Sequence, residues 1–328
     1  MVTTIIQSAI RNGTPLLFGS TGEILTEKSG HLNLGIPGIM YVGGISGVIG
    51  SFFYEQSLAS PELMNPFLAV LIPMLSCIIG SAFMGLIYCF LTVTLRANQN
   101  VTGLALTTFG IGIGNFFGGS LMKLVNSDVS QISLNNTGRL FKIPLPFAED
   151  LGWFGEAFLS HGFLVYLAII IALVASFILN KTRMGLHLRA VGESPETADA
   201  VGINVTKYKY IFTCIGSAVA GLGGLYYVMD YSSGGWANNA FGDRGWLAIA
   251  LVIFSVWKPA VSIFGSFLFG LLYVIPIHLS IGGVSGKKLF EMLPYVVTIL
   301  VLIFTSRSNK KEHQPPEGLG VPYFREER

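Results

Sequence analysis

Residues 181–209 read KTRMGLHLRAVGESPETADAVGINVTKYK, a polar and positively charged stretch set between two strongly apolar runs. Its five basic residues (Lys181, Arg183, Arg189, Lys207, Lys209) outweigh three acids, Glu193, Glu196 and Asp199. Most other apolar runs are separated by much shorter polar interruptions. A basic loop between hydrophobic spans is expected on the cytoplasmic side, because Lys and Arg bias membrane topology that way. Local chemistry predicts a short helix within it. Ser194 can cap, Pro195 suits the first helical position, and Glu196 complements the positive end of the helix dipole. The helix is expected to run through Ala198, Asp199, Ala200 and Val201 and to stop at Gly202. Such a loop is either a docking element or a solvated connector, and these residues alone leave both open.

Working outward, composition sets the class. The chain is 52% hydrophobic with a mean hydropathy of +0.63, and its 12% of charged residues is about half the share of a soluble domain. Its 40 glycines among 328 residues match the glycine enrichment of membrane helices. The expected fold is all-α, a polytopic transmembrane helical bundle. Apolar runs cover 3–25, 32–53, 67–95, 101–122, 162–180, 209–229, 244–257, 259–280 and 291–306. At about 20 residues per crossing, these predict about nine spans, with eight to ten as the range. The organisation is a transmembrane domain over 1–306 and a polar cytoplasmic tail over 307–328, where Pro315-Pro316 will not continue a helix.

Orientation follows from the basic residues. Placing 181–209 inside and alternating outward also brings Lys28, Arg96, Lys258, Arg307, Lys310, Lys311, Arg325 and Arg328 inside. That makes 13 basic residues inside against seven outside (Arg11, Lys123, Arg139, Lys142, Arg244, Lys287, Lys288). The N-terminus is then outside, the C-terminus in the cytoplasm, and the longest external loop is 123–161, with acids Asp128, Glu149, Asp150 and Glu156. The first residues lack the basic start of a cleavable signal peptide. Net charge is +2, with no basic stripe for nucleic acid. Cys77, Cys89 and Cys214 fall in apolar runs and are expected to be buried, inert thiols.

Polar groups at membrane depth are the candidates for function. Glu23 closes the first run. Asn33-Leu34-Gly35-Ile36-Pro37-Gly38 interrupts the second with two glycines and a proline, which predicts a discontinuous helix with unwound backbone. Asn98-Gln99-Asn100 and Thr102-Gly103 open the fourth run, and Asp243-Arg244-Gly245-Trp246 the seventh. Interrupted helices in both halves point to a transport path, with Asn33, Leu34, Gly35, Ile36, Asn100 and Thr102 as lining candidates. Gly43/Gly47 and Gly110/Gly114/Gly118 have the small-residue spacing that lets helices approach closely. The five histidines are scattered, and HExxH, GxSxG and Walker A motifs are absent from the sequence. Neither catalysis, a metal nor a cofactor is expected on this chain.

Residues 27–35 (EKSGHLNLG), 185–193 (GLHLRAVGE) and 200–205 (AVGINV) stand in a fixed order that strongly resembles the permease subunits of bacterial ABC importers of the branched-chain amino acid/ribose superfamily. Residues 98–106 (NQNVTGLAL), 245–251 (GWLAIAL) and 316–323 (PEGLGVPY) extend the resemblance over nearly the whole chain. Within that group it is most similar to the second permease of nucleoside importers whose binding lipoprotein is of the basic membrane protein type. One departure stands out: the family's usual glutamate in Asn-Leu-Gly-x-Glu-Gly is Pro37 here.

The resemblance implies that 191–204 is a coupling helix seated in a groove of a cytoplasmic ATPase. Arg189, Ala190, Val191, Gly192, Glu193, Ala198, Gly202, Ile203 and Asn204 would make the contact. It further implies a second, different permease subunit, an extracellular substrate-binding lipoprotein and a small-molecule substrate, with ATP and magnesium held on the partner ATPase. The location implied is the bacterial cell membrane. Relatives carry simple sugars and branched-chain amino acids as well as nucleosides, and no aromatic-plus-amide box for a nucleobase is legible along the sequence. A secondary transporter or channel shares the composition, yet would carry charges at midspan rather than at span ends. A structural subunit without a path is disfavoured by the interrupted helices.

Overall fold

The computed structural model describes residues 2–125, 131–146, 148–279, 290, 292–306 and 314–324. In chain order the helices are α1 (Val2–Glu27), α2 (Ile36–Gln56), α3 (Pro66–Cys89), α4 (Gln99–Val125), α5 (Asn135–Phe141), α6 (Gly152–Phe158), α7 (Phe163–Lys181), α8 (Arg183–Glu193), α9 (Pro195–Ala200), α10 (Val205–Tyr226), α11 (Arg244–Phe254), α12 (Pro259–Leu279) and α13 (Leu293–Ser306). Both α3 and α10 end in a wider turn, Phe90–Thr94 and Tyr227–Tyr231. Each of the nine apolar runs coincides with a helix. Five segments, Ile36–Gln56, Pro66–Thr94, Gln99–Leu124, Phe163–Lys181 and Val205–Tyr231, are long and apolar enough to cross a membrane. Arg244–Phe254, Pro259–Ile275 and Leu293–Ile303 are shorter apolar segments, and α1 carries Arg11, Glu23 and Glu27 within its length. The described chain is therefore a polytopic helical bundle.

At its centre α10 packs on α1, α2 and α3, and α1 also packs on α12. Glycine permits this closeness: a Cβ on Gly22 would stand 2.2 Å from the Gly216 carbonyl oxygen, and one on Gly216 would stand 2.4 Å from that of Gly22. Small residues at such crossings let backbones meet, where lipid gives helices no hydrophobic reason to associate. In α2 and in α10 with its terminal turn, 78% of the apolar window is buried, against 28% in α3 and 33% in α7.

Two sequence expectations, on Pro37 and on 191–204, need revision. Pro37 does not break a helix. It lies at the start of α2, with Gly35 as the cap, where a missing N–H costs nothing. The unwound backbone is instead the stretch before it, between Glu27 and Ile36. The 123–161 loop contains α5 and α6, plus β1 (Ile132–Ser133) paired antiparallel with β2 (Gly235–Trp236) in the register Ile132↔Trp236. The 191–204 segment is two helices rather than one, with α8 ending at Glu193 and α9 beginning after Ser194. Asp128, Lys287, Lys288, Arg307, Lys310, Lys311, His313, Arg325, Arg328 and the side chain of His278 lie outside the described residues.

Candidate functional site

The connections of the bundle gather at two ends. One holds the unwound 28–35 stretch, the α3–α4 connection with Arg96, α8 and α9, Lys258 and the tail over 314–324. Arg11 and Lys142 line a recess with Asp230 at the other.

The 28–35 backbone forgoes helical hydrogen bonds, so its polar groups need other partners. They are supplied by side chains of three helices. Leu32 N donates to Gln99 Oε1 at 2.8 Å, and Tyr88 OH donates to Leu32 O at 2.7 Å. Asn33 N donates to Glu23 Oε1 at 3.0 Å, Thr107 Oγ1 to Leu34 O at 2.7 Å, and Gly35 N to Asn33 Oδ1 at 2.9 Å. His31 meets the Thr213 hydroxyl at 3.0 Å, and the Trp257 indole donates to the Glu27 carboxylate. Of the path candidates, Asn33, Gly35, Ile36 and Thr102 are buried, Leu34 is half-buried and Asn100 is exposed. The contact of this stretch with α4 runs through Gln99, Gly103, Leu106 and Thr107. Gln99 belongs to the polar opening of the fourth run noted in the sequence, whereas Tyr88 and Thr107 were not singled out. Their only signal was being polar in an apolar run.

The α8–α9 segment is capped at each step. Thr182 Oγ1 accepts from Gly185 N at 3.1 Å, Ser194 Oγ from Thr197 N at 3.4 Å, and Asn204 Oδ1 from Lys207 N at 2.9 Å. At the end of α9, Ile203 N donates to Ala198 O and Gly202 N to Asp199 O, with Gly202 at φ +86. This is the left-handed helix stop that glycine makes at least cost. Val191, Gly192 and Ala198 face inward, and Val191 and Ala198 form a cluster with Val205. Ala190 and Ile203 pack partly against it. Arg189, Glu193, Gly202 and Asn204 are exposed, as are Met184, Leu186 and Val201. The outward surface is thus Arg189, Glu193, Gly202 and an apolar fringe, while Ala198 supports it from behind.

A further element was missed in the sequence. The tail lies back across this end of the bundle. Gly318 N donates to Gly192 O at 2.9 Å, Gly320 N to Gly30 O at 3.3 Å, and Glu317 N to Glu193 Oε2 at 3.3 Å. Tyr323 packs on the Val191/Ala198 cluster, Leu319 on the cluster of Ile24, Leu188 and Trp257, and the Arg96 guanidinium sits 4.3 Å from the Phe324 ring centre. The tail therefore straps α8 to the unwound stretch. Burial among these elements holds the Lys28 ammonium below its ordinary value, against the opposing pull of Glu193. Glycines and aromatics in a tail otherwise polar were the available signal.

The other end is aromatic. Tyr41 meets Trp236 edge-on at 5.3 Å and Phe241 at 4.7 Å, and Tyr227 meets Phe241 at 4.6 Å. The Arg244 guanidinium lies 4.6 Å from the Tyr227 ring, 5.2 Å from Tyr231 and 5.4 Å from Tyr273. Tyr41 OH donates to Asn115 Oδ1 at 3.1 Å, and Asn115 Nδ2 donates to Asn239 Oδ1 at 3.0 Å. An aromatic-plus-amide group does exist, assembled from α2, α4 and the stretch after α10. Among the described residues no three His, Cys, Asp or Glu side chains cluster as a metal site.

Residues 5–302 match the family described as branched-chain amino acid transport system / permease component, and the chain belongs to it. It is similar to the nucleoside ABC transporter permease protein NupC of Lactococcus lactis, 32% identical over 91% of this chain and 90% of that one. It is also similar to the guanosine ABC transporter permease protein NupQ of Bacillus subtilis, 30% identical over 100% and 98%. A third relative is the putative glucose ABC transporter permease protein TsgC13 of Haloferax volcanii, 29% identical over 98% of each.

Proposed function

We propose that this chain is the second permease of an ATP-driven nucleoside importer in the bacterial cell membrane. It forms half of the translocation path with a different permease, receives substrate from an extracellular binding lipoprotein, and relies on a partner ATPase for ATP and magnesium. In this reading the α8–α9 end is cytoplasmic, the N-terminus is outside, and all nine apolar helices count as spans. The observation that carries it is the twice-capped α8–α9 segment. Its outer surface exposes Arg189, Glu193 and Gly202, and the tail straps Gly192 and Glu193 to the unwound 28–35 stretch. Motion imposed on α8 by a nucleotide-driven partner would pass directly to the helices flanking that stretch. ATP would then drive alternating access through its different affinity for the two states.

The relatives that carry nucleosides in their names support the substrate class. So do the half-buried Asn115 and exposed Asn239 amides, since a nucleobase asks for in-plane hydrogen bonds. The glucose relative favours a second reading, a simple sugar. Uptake of labelled guanosine by cells with and without this chain, in competition with unlabelled guanosine or glucose, decides between them. Guanosine competition alone is the expected result; glucose competition alone assigns the sugar.

A further inference from the structure

We propose that the recess between the end of α3, the start of α10 and the tail is a binding site for a phosphate group. It is a cavity of about 550 Å³ whose walls include Thr92, Arg96, Asn204, Lys207, Lys209 and Tyr323. Lys209 is 3% exposed, and among the described residues its ammonium meets no carboxylate and no hydrogen-bond acceptor. A buried charge is costly unless it is paired, and an anion entering the recess would pair it.

Three further features fix the kind of anion. The cavity holds the N-terminus of α10, a helix of 22 residues, whose positive end favours anions. Asn204 caps the N–H of Lys207, and the N–H groups of Val205 and Thr206 meet no acceptor among the described residues. Arg96 and Lys207 add two exposed cations, while Asp199 is the one carboxylate in the wall. Three cations and two open amides exceed what a single carboxylate can satisfy. They match a group with several oxygens and more than one lone-pair direction, as a phosphate has. The phosphate of a lipid headgroup and that of a soluble phosphate compound share this chemistry.

The test uses the full-length chain in phosphatidylcholine nanodiscs, with thermal unfolding followed while inorganic phosphate or AMP is titrated at constant ionic strength. A parallel arm adds phosphatidylglycerol to the discs. A ligand that binds only the folded chain raises its midpoint. The midpoint is expected to rise with one of these probes, and Lys209→Met is expected to weaken that response about tenfold or more, since it removes a charge-assisted hydrogen bond. Phosphatidylglycerol acting alone assigns a lipid site; inorganic phosphate or AMP acting alone assigns a soluble one. Arg96→Gln, on an exposed side chain, gives an independent readout if Lys209→Met does not fold. The proposal is overturned if no probe shifts the wild-type chain, or if both variants respond as the wild type does. Neither ATPase docking nor uptake enters this measurement, so its failure would leave the importer reading standing.

Discussion

The two ends of the bundle are held together by different physics. At the α8–α9 end, segments far apart in sequence are joined through backbone groups: Gly192 to Gly318, Gly30 to Gly320, Leu32 to Gln99. At the opposite end, rings do the joining, with Trp236, Tyr41, Phe241 and Tyr227 in mutual contact. Backbone hydrogen bonds are directional and fix a segment's position, whereas ring packing is worth more in burial and tolerates small adjustments. One region is thus fixed by directional bonds and the other by a buried ring cluster.

The largest expected effect is on transport and comes from the hydrogen-bonded end. Gly202→Trp places a bulky residue at φ +86 on an exposed corner, and Glu193→Lys reverses a charge on the same surface. Neither touches a long apolar helix, so membrane levels are expected to stay near normal while ATPase co-purification and nucleoside uptake are lost. Full retention of both in the two variants would reduce α8–α9 to a solvated connector and remove the mechanical half of the comparison.

The next effect is on stability and belongs to the aromatic end. Trp236 is 1% exposed among rings, so Trp236→Ala is expected to cost about 3–5 kcal/mol, with Trp236→Phe recovering much of it. Thermal unfolding of the purified chain reads this directly. A loss below that of a surface substitution would show that the rings are not what holds this end. At the other end, Gln99→Ala leaves the Leu32 N–H without its acceptor, an expected cost of about 1–3 kcal/mol. Its signature is local: faster amide exchange over 28–35 with the aromatic end unchanged. A uniform rise in exchange would mean that the two ends do not behave separately.

What was legible in the sequence follows the range of the interactions involved. The apolar runs located every long helix, because burial in lipid acts on consecutive residues. Ser194, Pro195 and Gly202 located the limits of α9, because caps and stops are local chemistry. Ala198 was misjudged: being small says that something lies close, not whether it is a partner or, as here, Val191 and Val205 of the same chain. The partners of the strap and of the aromatic group were not legible for a shared reason. Glu317 meets Glu193 across 124 positions, and Asn115 meets Asn239 across 124, and no periodicity connects residues so far apart.

The smallest expected effect is also the most discriminating for substrate. Tyr41 is 4% exposed, and its hydroxyl donates to Asn115 Oδ1, which also accepts from Asn239 N at 3.3 Å. Tyr41→Phe keeps the ring against Trp236 and Phe241 and removes one donor. Because Asn115 Oδ1 retains its second donor, the stability loss is expected at the low end of a net hydrogen bond, about 0.5 kcal/mol. If the amides meet a nucleobase, they must be held in one orientation, and freeing Asn115 then costs selectivity more than amount of protein. Guanosine uptake is therefore expected to fall by severalfold in Tyr41→Phe, with competition among different nucleosides changed in rank and the unfolding midpoint nearly unmoved. Unchanged uptake and unchanged rank would leave the amides as a structural tie between α4 and the stretch after α10, and would place substrate discrimination elsewhere, with the external binding protein as the first candidate.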